Sequence, residues 1–387
     1  MTPKNQAAWI PSKGAVPLQV GDAPYTTPGP GQIAIKNGAV GINPFDWVLQ
    51  YQGSILASHL KYPMVLGIDV AGTVLDVGPG VTRFKVGDRV AGCAVSIAKE
   101  SGDAAEGAFQ LYTVLREYMV APIPDHITDE QAAVLGLGIG TAAYGLFHKD
   151  YLGLDLPQVP PPPNPQPGEY LPRAIIITGG ASSVGSCAIQ LAVAAGYQVI
   201  STSSPRNFAL VKSLGASHVF DYNSKTLVVD LVRALDGREL VGAYTVGENA
   251  DEVCASVMIQ RIAKTPELPT GRFIALAGGA RREPDSIRGL FGTYRLMGGM
   301  FSMMGKNAVK KMRTGIEIKF IMIVGLVDPD SCVSQVYMNF LGPALAKKQF
   351  VPAPEPHVVG RGLDKINEAL ELNQKGVSAK KIIVSLP

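Results

Sequence analysis

The segment AIIITGGASSVGSCAIQLAVAAG, Ala174–Gly196, constrains the fold more than any other stretch of this chain. Its apolar run reads as a buried strand and its small residues as a tight turn. Gly185 then begins a helix in which Ala188, Leu191 and Ala192 share one face. Gly179, Gly180 and Gly185 keep bulk out of the turn, so backbone amides and a helix N-terminus can approach a pyrophosphate, with Ser182 and Ser183 as further donors. The spacing is not G-x-G-x-x-G, and a glycine-rich packing corner has similar composition. The position after a strand and before a helix is what points to dinucleotide binding across Gly180, Ala181, Ser182, Ser183, Val184 and Gly185.

A site of this type that selects NAD places a carboxylate about 20 residues on, at the end of the second strand, to accept from the ribose 2′-hydroxyl. Here no Asp or Glu occurs from Ser186 through Phe220. The second strand ends instead in STSSPRN, Ser201–Asn207, where Ser204 and the Arg206 guanidinium suit a 2′-phosphate. The expected cofactor is NADPH.

Around this unit, short apolar strands alternate with amphipathic helices: Gln198–Ser201, Phe208–Leu214, His218–Asp221, Leu227–Leu235, Gly242–Val246 and Arg272–Ala277, with Lys319–Val324 as a candidate closing strand. That rhythm predicts a doubly wound parallel sheet covered by helices on both faces, an α/β architecture. Residues from about Ala7 to Ala121 read differently. Short strands such as Gln32–Lys36, Ala71–Val77 and Arg89–Ala91 are punctuated by Gly, Pro and Asp, which predicts a β-rich antiparallel unit. The tail holds a helix ending near Lys375 and a last strand, Lys381–Leu386, expected to return to that first unit. The expected domains are therefore 1–130, 131–325 and the return 326–387.

Between these blocks, Thr128 and Gln131 form a capping box for a helix, interrupted by Gly136, Gly138 and Gly140. Three alternate glycines predict a break or a close backbone approach there. The proline cluster in Pro157–Pro172 predicts a surface connector, a ligand for a proline-reading partner being the weaker alternative. Gly289–Met312, rich in Met and Gly, is either an adaptable wall of an apolar pocket or gap-filling core.

Composition narrows the function. With 47% hydrophobic and 17% charged residues, the 387-residue chain can bury a large core. Thirty-five basic against 32 acidic residues, with no basic block, exclude the footprint of a nucleic-acid binder. The start lacks a signal-peptide core and no apolar run approaches the ~20 residues of a membrane span, so a soluble cytoplasmic protein is expected. The cysteines at 93, 187, 254 and 332 lie far apart, without a C-x-x-C pair, and the five histidines form no H-E-x-x-H arrangement. No metal site is expected from either set.

Taken together, GINPFDW at Gly41–Trp47, LGIDVAGTVLDVG at Leu66–Gly78, FKVGDRVAG at Phe84–Gly92, GAFQLYTV at Gly107–Val114, GIGTAAYGLF at Gly138–Phe147 and the turn GGASSVGSCAIQLA give a chain that resembles the medium-chain dehydrogenase/reductase superfamily, in its zinc-independent quinone oxidoreductase and enoyl reductase branch. The stretch Ser203–Tyr222 is similar to fungal trans-acting enoyl reductases. The resemblance covers nearly the whole chain. It implies a GroES-like domain built from both chain ends, a Rossmann domain between, and a cofactor cleft at their junction. It also implies Ala181–Val184 at the pyrophosphate, Ser204, Arg206 and Asn207 at the 2′-phosphate, and Tyr222 at the adenosine end, although a strand-end tyrosine is equally good core. Thr141 is implied near the nicotinamide, with Asn43, Phe45 and Asp46 passing over it and Lys380 reaching back toward the cofactor.

The departures are specific. Zinc-dependent relatives carry a Cys where this chain begins Gly41–Trp47 and a His-Glu pair where it reads Gly67-Ile68-Asp69, and a Lys common two residues after the Asp of N-P-x-D is replaced here by Val48. The implied chemistry is hydride transfer from NADPH to an activated C=C bond of an enone or enoyl thioester, with a quinone acceptor or non-catalytic NADPH binding as alternatives. Tyr51 is the nearest phenol to the N-P-x-D motif and the candidate proton donor, with a packing role as its plain alternative; Asp46 reads as a structural acceptor. Expected partners are a small-molecule substrate, with a polyketide synthase carrier domain as a further candidate, and either a monomer or a homodimer fits.

Overall fold

The computed structural model describes residues 3–165, 170–278, 286, 289–322 and 327–387, and it divides into two units. The first comprises Met1–Gly140, Arg282–Leu296 and Gly325–Pro387; the second comprises Thr141–Arg281 and Met297–Val324.

In the first unit the strands are β1 (Asn5–Ile10), β2 (Gln19–Ala23), β3 (Gln32–Gly41), β4 (Met64–Val65), β5 (Asp69–Val77), β6 (Arg89–Cys93), β7 (Tyr112–Arg116) and β8 (Val120–Pro122). Antiparallel pairing runs β3–β5–β6–β8, with β7 also on β3, while β1 joins β2 and β4 in a small separate sheet. The Gly78–Gly80 turn needs its glycines. Gly80 has φ 81°, and a Cβ on Gly78 would sit 1.8 Å from the Gly29 carbonyl oxygen. Helix α1 (Pro44–Leu56) follows β3 directly and lays Trp47 and Leu49 into a core shared with Phe109, Ile366 and Ile382.

Helix α2 (Asp129–Ala132) starts at Thr128, whose Oγ accepts from the Gln131 amide at 3.3 Å while the Thr128 amide donates to Gln131 Oε1 at 3.0 Å. Helix α3 (Gly136–Phe147) then runs without interruption. The break falls before the glycines, at residues 133–135, and the expectation of a broken helix through Gly136–Gly140 is corrected accordingly. The close backbone approach is present at Gly136, where a Cβ would lie 2.3 Å from Asp69 Oδ1.

The second unit is an α/β layer. Its strands β9 (Arg173–Ile177), β10 (Gln198–Ser203), β11 (Ala216–Asp221), β12 (Glu239–Val246), β13 (Phe273–Gly278) and β14 (Glu317–Phe320) form one parallel sheet in the order β11-β10-β9-β12-β13-β14. The order reverses at β9, the switch point where such sheets bind ligands beyond the strand C-termini. Helices α4 (Ser183–Ala194), α5 (Phe208–Ser213), α6 (Leu227–Ala234) and α7 (Ala250–Lys264) connect these strands. Ile176, Leu231, Val257 and Ile274 meet in the core on one face. The buried Arg261 ties the layer together by donating to Leu235 O, Arg238 O and Thr270 Oγ. β14 covers Glu317–Phe320, whereas the expected closing strand ran to Val324, and residues 323–324 lie outside the described residues. The same holds for residues 166–169 of the proline-rich connector; its described residues hold neither helix nor strand.

Met-rich Gly289–Met312 forms most of one long helix, α8 (Gly289–Thr314). Phe291 is 92% exposed and Met312 87%, and Tyr294, Phe301 and Met304 are also exposed, so gap-filling core is ruled out for most of its length. Finally β15 (Glu355–Arg361), the helix Lys365–Lys375 and β16 (Lys380–Ser385) close the first unit, with β16 antiparallel to β3 and Ile383 opposite Gly41.

Candidate functional site

The turn between β9 and α4 is built for a close approach. Gly179 has φ 62°, a Cβ on Gly180 would meet Ser201 Oγ at 2.4 Å, and one on Gly185 would meet Gly179 O at 2.2 Å. Ser182 caps α4, accepting from the Gly185 amide at 3.0 Å. Helix geometry leaves the Ser183 and Val184 amides without intrahelical acceptors. No acid lies in the first turn. The hydroxyls of Ser183 and Ser203 are buried with no hydrogen-bond partner among the described residues. Open backbone donors, partnerless hydroxyls and no negative charge in that turn fit a pyrophosphate.

At the end of β10, Asn207 Nδ2 donates to Ser204 Oγ at 3.1 Å, and Arg206 is exposed on the 3-10 turn Pro205–Asn207. The sheet register adds a feature that linear distance conceals. Asp221, at the end of β11, stands opposite Ser203. Its Oδ1 already accepts from the Asn223 amide at 3.0 Å. Tyr222, just beyond, is 55% exposed, so a packed core role does not describe it. Thr141 is buried at the side chain, and its carbonyl accepts from the Tyr244 hydroxyl at 3.1 Å. Burial of that phenol pushes its pKa well above the ordinary 10.0.

In the first unit the N-P-x-D motif sits at the start of α1. Asn43 N donates to Asp46 Oδ2 at 2.7 Å, and Asp46 N returns a bond to Asn43 O at 3.1 Å. The structural-acceptor reading of Asp46 describes this bond. Phe45 points outward, 38% exposed. Two residues absent from the expected site complete the arrangement. Lys381 Nζ lies 2.6 Å from Asp69 Oδ2 and donates to Asn43 Oδ1 at 2.5 Å; Asp69 Oδ1 accepts from the Leu137 amide at 2.6 Å. All four side chains are buried. Burial raises the Asp46 carboxyl to about 7, opposed by the Asn43 amide bond and reinforced by the nearby Asp69 charge. The Cys93 thiol beside this cluster is likewise pushed up, first by burial and then by Asp69 and Asp46.

Strand alternation explains why Lys381 stands here and Lys380 does not. β16 turns Lys380 to solvent, where it bonds Glu355, and turns Lys381 inward. Tyr51 is also elsewhere. It lies five residues beyond Asp46, roughly 140° around the helix. Its ring packs by Trp47 at 6.2 Å and its hydroxyl accepts from Gln374 Nε2 at 3.2 Å. The available signals were an aspartate inside the apolar strand LGIDVAG and a paired lysine opening the last strand.

The alcohol dehydrogenase GroES-like domain model matches residues 29–125, and the zinc-binding dehydrogenase model matches residues 183–256. Dehydrogenase pigH of Monascus ruber is 44% identical over 387 residues, covering 99% of this chain and 100% of that protein. The chain belongs to the medium-chain dehydrogenase/reductase superfamily. It is an oxidoreductase of that superfamily, whose members bind nicotinamide cofactors. Trans-enoyl reductase himH of Aspergillus japonicus is 35% identical, covering 99% of this chain and 97% of that protein. Among solved structures, CurK enoyl reductase superposes with a TM-score of 0.66 at 18% identity, covering both chains fully, a likeness of fold. The GroES-like and Rossmann architecture is that of the superfamily. Among the described residues, no helix is long and apolar enough to cross a membrane.

Proposed function

We propose that this protein is a zinc-independent, NADPH-dependent reductase of activated C=C bonds, acting on an enone or enoyl thioester. The observation that carries the cofactor assignment is the acid-free end of β10, where Ser204, Asn207 and an exposed Arg206 stand ready for a 2′-phosphate. Asp221, opposite Ser203 on the next strand, keeps its charge, and Arg206 is the cation at this strand end that can offset it. The ene-reductase assignment leans on relatives such as himH that carry that name.

The donor set supports chemistry without zinc. Gly41 and Ile68 offer no ligand atoms, and a Cβ at Gly41 would already sit 2.6 Å from Ala133 O. The Lys381 ammonium on Asp69 would repel a divalent cation. NADPH, when bound, supplies a hydride to the electron-poor carbon. The chain's part is to hold the phosphates with the Ser182–Gly185 turn, to fix the reacting partners, and to offer a donor to the oxygen that gains charge. Tyr51 is held by Gln374 and Trp47, and solvent protonates the α-carbon in this reading. We place the cofactor contact of the last strand on Lys381 in preference to Lys380. A carrier-bound acyl chain remains the proposed physiological substrate form.

The test is NADPH oxidation by purified protein against enoyl thioesters, enones and quinones, with products identified. Saturated thioester or ketone is the expected product. Hydroquinone alone would move the assignment to quinone reduction, and NADPH binding without turnover would favour a non-catalytic role.

A further inference from the structure

The later part of α8, Met297–Thr314, belongs to the second unit, and its contacts fix which side faces the fold. Met303 packs against the sheet core, Asn307 Nδ2 donates to Ile318 O at 3.3 Å, and Lys310 pairs with Glu252 on α7. Thr314 follows one turn later. These positions recur every three or four residues and so share one side of the helix. The opposite side carries Met297, Phe301, Met304 and Met312, again at helical spacing, and all four are exposed. Ala308, also exposed, fills the step between Met304 and Met312. Single exposed apolar residues are ordinary on a protein surface. An aligned row of them marks a place where something docks.

Charge selects the occupant. From Met297 to Thr314 the helix holds Lys306, Lys310, Lys311 and Arg313 and no acid. Lys310 is taken by Glu252 on the inner side, and Lys311 by Glu317 at 2.6 Å. Lys306 and Arg313 are exposed and have no ion pair among the described residues. Helical spacing puts both along one border of the apolar row and Lys311 along the other. Cations bordering an acid-free helix repel a second copy of that helix and attract an anionic surface. The row is also uneven, because Gly298 and Gly305 leave gaps between flexible methionines. Acyl chains fill such a relief without a matched shape, which a folded partner would have to supply. The helix is not long and apolar enough to cross a membrane, so the geometry that remains is one lying in the interface. We propose that Met297–Thr314 docks on an anionic lipid surface, with Phe301, Met304 and Met312 entering the boundary between headgroups and acyl chains and Lys306 and Arg313 on the lipid anions. This adds a place of action to the reductase reading and does not depend on it.

The test is flotation of the purified full chain with phosphatidylcholine vesicles, with and without phosphatidylserine. Wild type is compared with Phe301→Ser/Met304→Ser and Lys306→Gln/Arg313→Gln, and Tm is the control for folding. Wild type is expected to float with the phosphatidylserine vesicles, to release from them as salt is added, and to bind pure phosphatidylcholine far more weakly. Loss of the two cations should weaken binding about twentyfold, at about fivefold for each charge near the surface. Loss of the two apolar side chains should weaken it by about tenfold or more. Tm should stay at its wild-type value in both variants, since all four side chains are exposed. Equal binding to neutral and anionic vesicles, unchanged binding in either variant, or no vesicle binding at all overturns the proposal. In the last case sedimentation velocity identifies the alternative: self-association abolished by Phe301→Ser/Met304→Ser assigns the face to a second copy, and a monomer assigns it to another protein. None of these outcomes bears on NADPH turnover, so the two readings fail separately.

Discussion

Arg206 and Asp46 are the residues whose charges the account depends on. Arg206 makes its proposed contact only with the 2′-phosphate, so Arg206→Ala should raise the NADPH dissociation constant about tenfold to hundredfold and leave that of NADH within about twofold, as measured by calorimetry. Equal losses for both cofactors would count against the contact. Asp46 makes a different prediction. Its folded pKa, raised by burial from the ordinary 3.8 to about 7, means that the folded state holds this proton more tightly than the unfolded chain. The stability this confers is therefore fully present below about pH 4 and is lost as pH rises through 7. Facing it are Asp69, which opposes ionisation, Lys381, which favours it, and the Cys93 thiol, which burial keeps neutral. Asp46→Asn should remove that slope. The stability difference between wild type and variant should drift by up to a few kcal/mol in the variant's favour between pH 4 and 7.5, read by denaturant titration at each pH. A difference that stays flat would mean the carboxyl titrates normally.

At the scale of elements, the β9–α4 turn was the most legible feature of the chain because its signal is local. A strand must end, a helix must begin, and only glycine fits the three positions where backbone or side-chain atoms crowd the Cβ site. Gly185→Ala, with its Cβ 2.2 Å from Gly179 O, should cost about 1–3 kcal/mol and abolish NADPH binding, whereas Ser182→Ala should cost only about 1 kcal/mol as a lost cap. The two can be compared by chemical denaturation alongside cofactor titration. What local pattern could not convey was which residues meet from distant parts of the chain. Asn43 and Lys381 are 338 positions apart, and their encounter depends on β16 pairing with β3 in one register. A shift by one residue would have turned Lys380 inward and Lys381 to solvent, a choice that the lysine pair alone does not decide. The glycines of α3 pointed to a break or a close backbone approach, and the close approach is the one present. Gly136 serves the approach of Asp69, so its small size answers to a neighbour 67 positions earlier and not to any weakness of the helix.

For the whole molecule, the alternation of strands and helices fixed the parallel sheet in advance, and the dense Gly, Pro and Asp punctuation fixed the antiparallel unit. Helix α8 shows where such reading stops. Its Met and aromatic residues are apolar enough for a core, yet Phe301 is 67% exposed and Met304 61%. Composition reports what a residue would gain by burial and not whether the fold provides a partner. Phe301→Ser should accordingly leave Tm nearly unchanged, within about 0.5 kcal/mol of stability, in contrast to the losses expected at Gly185. Activity is the property that neither unit reveals by itself, and one isotope experiment addresses it directly. NADPH deuterated at C4 on one face or the other is incubated with the protein and an enoyl thioester, and the product is analysed by mass spectrometry. The account predicts one deuterium at the β-carbon, delivered from a single face of the cofactor, with the α-hydrogen drawn from water. Deuterium at the carbonyl carbon, or an unreduced double bond despite NADPH oxidation, would contradict it.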